Sequence, residues 1–435
     1  MYPDSEIDSM AAPLPQQKER WVPSSLPVFG FGVVYYLLAP AFVLKYLAED
    51  NDLLSVAKRY IDPDYFNATY FLDVLVIVAS FLLGHWLAKA CTRPRESVLD
   101  CGSFQTGYAL SVAASFALLV LYFAWTAHAA GAAWFTGYTT YDMGILGPLS
   151  TSAFLSVWFL NYFPQRLVRL LFLSLFAFCS LLLLGLGSRM YFVLSTMALV
   201  LGLVSRNRDL LRSPRFYGFA TGFLVLMVGV GILREGGREF SFDALMAIFF
   251  AEPLFTSVSG SLFLELSGGR PVEGVPVDLY ASLIHFVPSV IYPEKLEVIR
   301  ELTANPNIVS PFGARALQVS LYSNFGIYYP LYIAGIGFYL GFLRTKARHS
   351  NFYAATYFSA LPIMIALFFR EGMINVIKVM FFNGLMVPCL VALILLLISP
   401  RAEEDTEYEQ GQEPYAGHSL LMEGVQSAPQ QRRSL

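Results

Sequence analysis

Long apolar stretches recur along most of the chain and alternate with short polar connections. The hydrocarbon core of a bilayer is about 30 Å thick and needs roughly 20 apolar residues in a spanning helix. Apolar windows of that kind predict about ten spans. They cover residues 27–47, 71–90, 107–127, 145–163, 168–187, 190–204, 216–233, 320–343, 352–369 and 374–398. The pattern therefore predicts an all-α polytopic membrane protein.

The composition agrees with this class. Of the 435 residues, 56% are hydrophobic and only 14% are charged, whereas soluble proteins carry about 25% charged residues. The formal net charge of −3 says little, because the distribution of charge along the chain carries the information, and no nucleic-acid partner is expected. Residues 1–26 contain acids, prolines and glutamines, so the first apolar run is interpreted as an anchoring span and not as a cleaved signal peptide.

The distribution of positive charge predicts the orientation. Lys and Arg gather in alternate connections that fall on one face, namely Lys18/Arg20, Lys89/Arg93/Arg95, Arg166/Arg169, Arg206/Arg208/Arg212/Arg215 and Arg344/Lys346/Arg348. The positive-inside rule assigns that face to the cytoplasm. The opposite connections are acidic or neutral apart from Lys58 and Arg59. Residues 1–26 and the polar tail 400–435, which we expect to be disordered, are both predicted to be cytoplasmic.

The longest connection, residues 234–319, is predicted to lie outside. It separates a block of seven spans, 27–233, from a block of three, 320–399. Within it, the apolar segment 244–266 is interrupted by Glu-Pro and a Ser/Gly run, and 280–292 is too short to span. Such segments predict a re-entrant or surface-lying cap. In the alternative interpretation 244–266 spans the membrane, which would break the alternation of charge.

Four arginines lie on the predicted outer side, where the positive-inside rule does not explain them: Arg189, Arg234, Arg238 and Arg370. Because an Arg buried in a bilayer costs about 2.5–3.5 kcal/mol, we hypothesise that they bind an anionic ligand. Arg189 follows a Gly-containing turn, which suits an anion-binding nest. Arg234 and Arg238 flank Gly-Gly and could clamp a diphosphate. The alternatives are headgroup contact for Arg189 and local pairing of the other two with Glu235 and Glu239.

Arg370 occupies the shortest predicted outer hairpin, in ALFFREGMINVIKVMFF. So short a connection holds Arg370 and Glu371 near membrane depth, which makes them hard to explain as solvated loop charges. Asn375 and Lys378 would project from the start of the next helix. A Lys inside a span is expected to face the bundle interior or a wet cavity.

Two groups in the outer loop are candidate acid–base groups. Glu252 lies in the apolar stretch IFFAEPLF, and burial favours the protonated form of a carboxylate, which suits a general base. The alternative is a helix-end residue beside Pro253. His285 is a second candidate base, although a lone histidine in an apolar run is more often structural. Tyr280 and Tyr292 could stack on sugar rings or belong to the interfacial aromatic belt.

No cofactor is predicted. The sequence contains no GxxxxGK[ST] loop, no strand-linked GxGxxG and no HExxH or Cys/His metal cluster. Asp62-Pro63-Asp64 resembles a DxD metal pair but is interpreted as a turn. Of the four cysteines, Cys179 and Cys389 fall within predicted spans, which argues against a disulfide framework.

Four stretches of the second half carry a resemblance to a known family: GLGSRMYF, HFVPSVIYPEK, GARALQVSLYSNFGIYYPLYIAGIGFYLG and FFREGMINVIKVMFFNG. Over roughly residues 180–385 the chain resembles the Wzy-type O-antigen and exopolysaccharide repeat-unit polymerases. In the third stretch the family pattern falls on Gly313, Arg315, Tyr322, Asn324, Phe325 and Gly326. The chain departs from the pattern at residues 318–320, where many members approach the tyrosine with acidic residues.

The resemblance implies a GT-C-like glycosyltransferase bundle in the bacterial inner membrane. Such enzymes join oligosaccharide repeat units carried on undecaprenyl or related polyprenyl diphosphates at the periplasmic face, and a chain-length regulator protein is an expected partner. By this resemblance the diphosphate is bound by Arg189, Arg234, Arg238, Arg315 and Arg370. The catalytic residues would be Arg370 with Glu252 or His285, and the acceptor sugar would contact Tyr280, Tyr322 and Asn324.

Two other functions stay open at this point. An O-antigen ligase would share the bundle and the large outer loop but would use a different acceptor. A transporter or flippase of anionic lipid-linked substrates would predict inverted repeats and charge at mid-membrane. The sequence shows no internal repeat, and its charge gathers at the outer rim.

Overall fold

The computed structural model describes residues 20–46, 52–93, 106–129, 131, 146–234, 242–287 and 291–398. Within these ranges every regular element is helical. In chain order the main helices are α1 (Ser25–Tyr46), α2 (Asp52–Lys58), α3 (Ala68–Cys91), α4 (Thr106–Ala129), α5 (Leu146–Tyr162), α6 (Arg166–Gly185), α7 (Arg189–Arg206), α8 (Pro214–Arg234), α9 (Phe242–Leu266), α10 (Val277–Phe286), α11 (Lys295–Thr303), α12 (Leu317–Phe325), α13 (Tyr329–Ala347), α14 (Asn351–Ala360), α15 (Leu367–Arg370), α16 (Met373–Ile377) and α17 (Val387–Ile398). A π-helical segment, Lys378–Met386, joins the last two.

Seven helices in the described part of the chain are long and apolar enough to cross a membrane. They are α1, α3, α4, α6, α7, the bent pair α12–α13 over Leu317–Ala347, and the last helix over Met373–Ile394. The polytopic α-helical class is thereby confirmed, with seven candidate spans where the sequence predicted ten.

Two of the predicted spans are interior helices in this fold. The stretch 145–163 forms α5, which has 17 residues and buries almost all of them. The stretch 352–369 is broken into α14, a 3₁₀ turn at Leu361–Met364, and α15, and it is buried throughout most of its length. Hydropathy reports apolarity without saying whether a residue faces lipid or protein, so a central apolar segment resembles a span.

The predicted interruption of residues 244–266 is wrong, because α9 is a continuous helix of 25 residues with Pro253 inside it. Proline lacks the N–H that would bond the carbonyl four residues earlier. Here that carbonyl, of Phe249, accepts a hydrogen bond from the Tyr35 hydroxyl of α1. The Ser/Gly run gives a close packing surface instead of a break: Gly260 lies against the Tyr65 hydroxyl, and the Ser261 hydroxyl accepts from the Asp62 backbone N–H at 2.9 Å.

Helices α3 and α13 form the tightest pair in the described fold. A side chain at Gly84 would overlap the backbone of Ala334, and one at Gly337 would overlap the carbonyl of Phe81. Small residues at such contacts let two helix backbones approach closely, which is a common device in membrane bundles. This pair anchors α12, which leads into α13 and carries several residues of the candidate site.

Basic residues from separate connections meet at one end of the bundle. The Lys346 ammonium donates to the Arg93 carbonyl at 2.9 Å, and the Arg344 guanidinium donates to the Pro23 carbonyl at 3.2 Å. The backbone N–H of Arg20 bonds the Arg348 carbonyl at 3.2 Å. Connections that the sequence assigned to one face therefore lie together. The helix ends that carry Arg189 and Arg370 lie at the opposite end.

Candidate functional site

Arg370 stands between two carboxylates at the end of the bundle remote from the basic connections. Its Nη1 lies 3.0 Å from Oε1 of Glu371, and its Nε lies 3.6 Å from Oε1 of Glu252 on α9. The same Nη1 lies 3.7 Å from the sulfur of Met190, the second residue of α7. Only 16% of the Arg370 side chain is exposed. Arg370 is therefore mostly enclosed by protein, and its predicted position near membrane depth stays a prediction.

Arg315 joins Arg370 through the backbone. The Arg315 N–H donates to the Arg370 carbonyl at 2.6 Å. The Arg315 guanidinium lies against Gly372, where an added Cβ would stand 3.1 Å from Nη1. The hairpin glycine thus leaves room for the second guanidinium beside the first. We call Arg315, Arg370, Glu252, Glu371 and Asp278 the arginine cluster.

Asp278 and Asn324 hold Arg315 in place. Asp278 is buried, and its Oδ2 lies 3.3 Å from Arg315 Nη1. The Asn324 amide donates to the same Oδ2 at 3.1 Å, and the Asn324 carbonyl oxygen accepts the Asp278 backbone N–H at 2.9 Å. A buried carboxylate with a cation and an amide as partners meets the usual condition for burying charge. Asn324 therefore positions Asp278, and its predicted contact with sugar stays a prediction.

Glu252 does not have the buried setting that the sequence predicted. Its side chain is 46% exposed, and its Oε2 accepts a hydrogen bond from the Tyr36 hydroxyl at 3.3 Å. The apolar neighbours of Glu252 in the sequence pack to other sides of α9, because successive helix residues point about 100° apart. Glu252 is therefore a reachable, oriented carboxylate at the edge of the cluster.

Glu371 is the buried carboxylate of the cluster. Burial raises its pKa above the usual range, while Arg370 and a hydrogen bond from the Asn375 amide act in the opposite direction. Both carboxylate oxygens are thus engaged by neighbouring side chains. These contacts suit Glu371 to hold Arg370 and Asn375 in position, whereas Glu252 is the more accessible group.

His285 belongs to a different group of side chains. It lies on α10, and burial followed by the nearby ammonium of Lys378 lowers its pKa to about 4, with Lys295 acting in the same direction. The Lys295 ammonium donates to the carbonyls of His285 at 3.2 Å and Val287 at 2.6 Å. Lys378 faces the bundle interior as predicted, since its Nζ lies 3.4 Å from where a Cβ of Gly147 would stand. The described contacts do not bring His285 to Arg370.

The remaining predicted residues divide into three groups. Arg189 begins α7 and is half-buried, and its neighbour Met190 is the residue of this helix end that contacts Arg370. The Arg234 side chain and Arg238 lie outside the described residues. Tyr280 is exposed on α10, and Tyr292 lies just before α11, so neither is among the residues that build the cluster.

Tyr322 leads to a second polar group that the sequence did not single out. Its hydroxyl donates to Asp73 on α3, and the Arg270 guanidinium forms a forked pair with Asp73 at 2.8 and 3.0 Å. An aspartate inside an apolar span is costly and therefore signals function, so Asp73 could have been found. Arg270 follows Ser-Gly-Gly in a loop, where an arginine is unremarkable, and its pairing depends on the fold.

The Asp62–Asp64 segment is a turn, as predicted. The Asp64 N–H donates to the Asp62 carboxylate at 2.8 Å, which is the hydrogen bond of an Asx turn. The residues that the structure describes contain no group of three or more His, Cys, Asp or Glu side chains placed to hold a metal ion.

The chain matches no protein-family model, no curated protein and no solved structure.

Proposed function

We propose that the protein is a membrane glycosyltransferase that polymerises oligosaccharide repeat units linked to a polyprenyl diphosphate. The reaction would take place at the periplasmic face of the bacterial inner membrane, during O-antigen, capsule or exopolysaccharide synthesis. The observation that supports this best is the hydrogen bond between the Arg315 N–H and the Arg370 carbonyl, 2.6 Å long. It holds the backbones of the two arginines together at the end of the bundle remote from the basic connections, and both guanidinium groups act on Glu371.

Two fixed guanidinium groups suit a diphosphate leaving group. In the reaction an acceptor hydroxyl attacks the anomeric carbon of the donor sugar, and the bond from that carbon to the diphosphate oxygen breaks. Negative charge then grows on the lipid diphosphate, so preorganised cations stabilise the transition state more than the ground state. Arginine stays protonated and forms forked hydrogen bonds to phosphate oxygens, so it can take this role without a metal.

The carboxylates of the cluster keep these cations oriented before substrate binds. A guanidinium has five N–H donors, so it can pair with a carboxylate along one edge and with a phosphate along another. Glu371 and Glu252 flank Arg370, and Asp278 pairs with Arg315. A diphosphate entering the cluster would compete most easily with Glu252, whose contact to Arg370 is the longest at 3.6 Å.

Glu252 is the proposed general base for the acceptor. It is partly exposed and is oriented by Tyr36 and Arg370, so it can accept the hydroxyl proton as the new glycosidic bond forms. His285 is less suited, because its contacts lie with Lys295 and Lys378.

The proposal predicts that Arg370→Ala abolishes chain growth while single repeats are still made and exported. Removing one preorganised hydrogen-bond donor to a developing charge lowers the reaction rate by a factor of about 10²–10³. Cells that carry the variant in place of the native gene, at matched abundance, would be compared by the ladder of glycan lengths on a gel. Arg370→Lys keeps the charge but loses the fork, so it should retain only short chains.

Arg300→Ala is the matched control, because Arg300 is an exposed arginine on α11. It should give the wild-type ladder. Long chains at wild-type levels in the Arg370→Ala cells would contradict the assignment. Loss of single repeats together with long chains would favour a flippase, and normal chain length with failed transfer to the final lipid would favour a ligase.

A further inference from the structure

A polar cavity opens beside the Asp73–Arg270 pair, apart from the arginine cluster. Its volume is about 350 Å³, which falls in the range of about 300–1,000 Å³ found for small-molecule sites. The first turns of α3, the C-terminal half of α9 and the start of α12 supply its walls. The loop after α9 completes the cavity and supplies Arg270.

The walls of the cavity carry more carboxylates than cations. Asp62, Asp64, Asp73 and Glu265 line it, and Arg270 is the cation among the lining residues. This balance repels an anion, so a diphosphate is a poor occupant. In the described part of the chain these carboxylates do not form a metal-binding group. They are spread along the wall and do not converge on one point.

Hydroxyl, amide and phenol groups line the rest of the cavity. Tyr65, Tyr70 and Tyr322 line it, and Asn67, Thr69, Ser261 and Gln318 add polar groups. A ligand with many hydroxyls and an apolar ring face fits such a wall, because carboxylates and amides accept its hydrogen bonds and aromatic rings cover its C–H face. A neutral sugar or an amino sugar has this chemistry.

Asp73 is held by three neighbouring side chains. Arg270 contacts both of its oxygens at 2.8 and 3.0 Å, and the Tyr322 hydroxyl donates to Oδ2. The Tyr329 hydroxyl is also hydrogen-bonded to Asp73, so the roughly four acceptor positions of the carboxylate are taken. A guanidinium has five N–H donors, so Arg270 keeps donors for a ligand hydroxyl beyond its two contacts to Asp73. The Arg270 guanidinium also lies over the Tyr322 ring, 5.9 Å from its centre. The three side chains therefore form a rigid wall.

The loop that supplies Arg270 is docked by its backbone. Gly268 and Gly269 adopt φ values of 65° and 119°, which only glycine adopts readily. Further along, the Ile327 N–H bonds the Val272 carbonyl at 3.0 Å. Gly326, with φ of 51°, lies so close to Val272 that a side chain there would overlap it. The placement of Arg270 is therefore built into the fold.

A seam of aromatic residues connects this cavity with the arginine cluster. Tyr65, Tyr70 and Gln318 line the cavity and also line a small crevice that reaches Tyr36 and Phe369. Tyr36 bonds Glu252, the proposed base. The crevice leaves no room for a water molecule, so the cavity and the arginine cluster are joined by packed side chains and not by an open passage.

We propose that the Asp73–Arg270–Tyr322 cavity is a sugar-ring subsite that binds a neutral or amino sugar of the acceptor repeat unit. The acceptor role of this sugar rests on the proposed function, whereas the recognition of a sugar ring follows from the cavity itself. Arg270 donates to a sugar hydroxyl, Asp73 fixes Arg270 and Tyr322 in place, and the tyrosines line the space for the ring.

Sugar binding can be measured without polymerisation. Purified protein in a detergent without sugar headgroups would be mixed with D-glucose, D-galactose, D-mannose or N-acetyl-D-glucosamine, and saturation-transfer NMR would report bound sugar. At least one sugar should bind, at least tenfold more weakly to Asp73→Asn and Tyr322→Phe, and inorganic diphosphate should not displace it. Tyr322→Phe keeps the ring and its packing, so it separates recognition from folding. Arg300→Ala should bind as the wild type does.

Two results would overturn the subsite. One is that no sugar in the panel gives a signal, and the other is a signal that is unchanged in both cavity variants. Arg370→Ala separates this proposal from the proposed function, because it should bind sugar normally while failing to build chains. Normal chain growth in Arg370→Ala with Asp73-dependent sugar binding would remove the polymerase assignment and leave the subsite standing.

Discussion

Each charged side chain of the arginine cluster has a partner that sets its orientation. Arg370 lies between Glu252 and Glu371, and Arg315 pairs with the buried Asp278. Burying a charge without a partner costs several kcal/mol, so these pairings are a condition for keeping arginines at this depth. They also hold the guanidinium groups ready for an anion, which limits the reorganisation needed when charge develops.

At the scale of single residues, the sequence predicted which charged residues enter the protein better than it predicted how buried each side chain is. The span position of Lys378 correctly predicted an interior side chain, whereas the role that the tight hairpin predicted for Arg370 stays a prediction. The sequence predicted that Glu252 is the buried carboxylate, whereas in the structure Glu371 is buried and Glu252 is partly exposed. Burial depends on which helices pack around a residue, and the apolar neighbours of Glu252 along the chain do not show this.

His285 provides a test of the electrostatics around α10. Its pKa is lowered to about 4 in the folded protein by burial, Lys378 and Lys295, against about 6.5 in an unfolded chain. Between these two values the unfolded state binds more protons, so stability should fall as pH drops from about 6.5 toward 4. His285→Gln should show a smaller loss of Tm over that range. An equal loss in both proteins would contradict the lowered pKa.

At the scale of elements, buried helices are the main reason that span prediction and structure differ. The 17-residue α5 and the broken segment from α14 to α15 are apolar because they face protein on nearly all sides. Helix α9 remains continuous because Tyr35 bonds the carbonyl that Pro253 leaves without its usual donor. Neither fact can be read from hydropathy, since each depends on a neighbour that is distant in sequence.

The close packing of α3 on α13 predicts opposite outcomes at two glycines of α13. Gly337→Ala should destabilise the protein by about 1–3 kcal/mol, the usual cost of overpacking, because the new methyl would overlap the Phe81 carbonyl. Gly335 has no neighbouring atom within 4 Å of an added Cβ, so Gly335→Ala should be neutral or slightly stabilising through helix propensity. Thermal unfolding in detergent would compare the two. Equal Tm values would contradict the packing of this pair.

For the whole molecule, the two ends of the bundle differ in their charged groups: one end is basic, and the other pairs arginines with carboxylates. One end brings together basic connections around Arg93, Arg344, Lys346 and Arg348. The other carries the arginine cluster and the Asp73 cavity, each built from residues of several helices. The sequence predicted this polarity from alternate connections. It could not predict the cavity, because Asp73 and Arg270 are almost 200 positions apart and meet only through the fold.

The orientation can be tested by cysteine labelling. In a variant without native cysteines, a cysteine at Arg300 should react with a membrane-impermeant maleimide in intact spheroplasts. A cysteine at His349, beside the basic connections, should react only after the membrane is opened. The reverse pattern would place the basic end outside and would contradict a periplasmic position of the arginine cluster.

Polymerisation by this protein can be measured in a reconstituted reaction. Purified protein in liposomes would receive a polyprenyl-diphosphate-linked repeat unit from the native glycan, and gels would follow chain length while thin-layer chromatography follows released polyprenyl diphosphate. Wild-type protein and Arg300→Ala should build chains and release one lipid diphosphate for each bond formed. Arg370→Ala should do both about 10²–10³ times more slowly. Chain growth by Arg370→Ala at the wild-type rate, or no growth by folded wild-type protein, would contradict the proposed function.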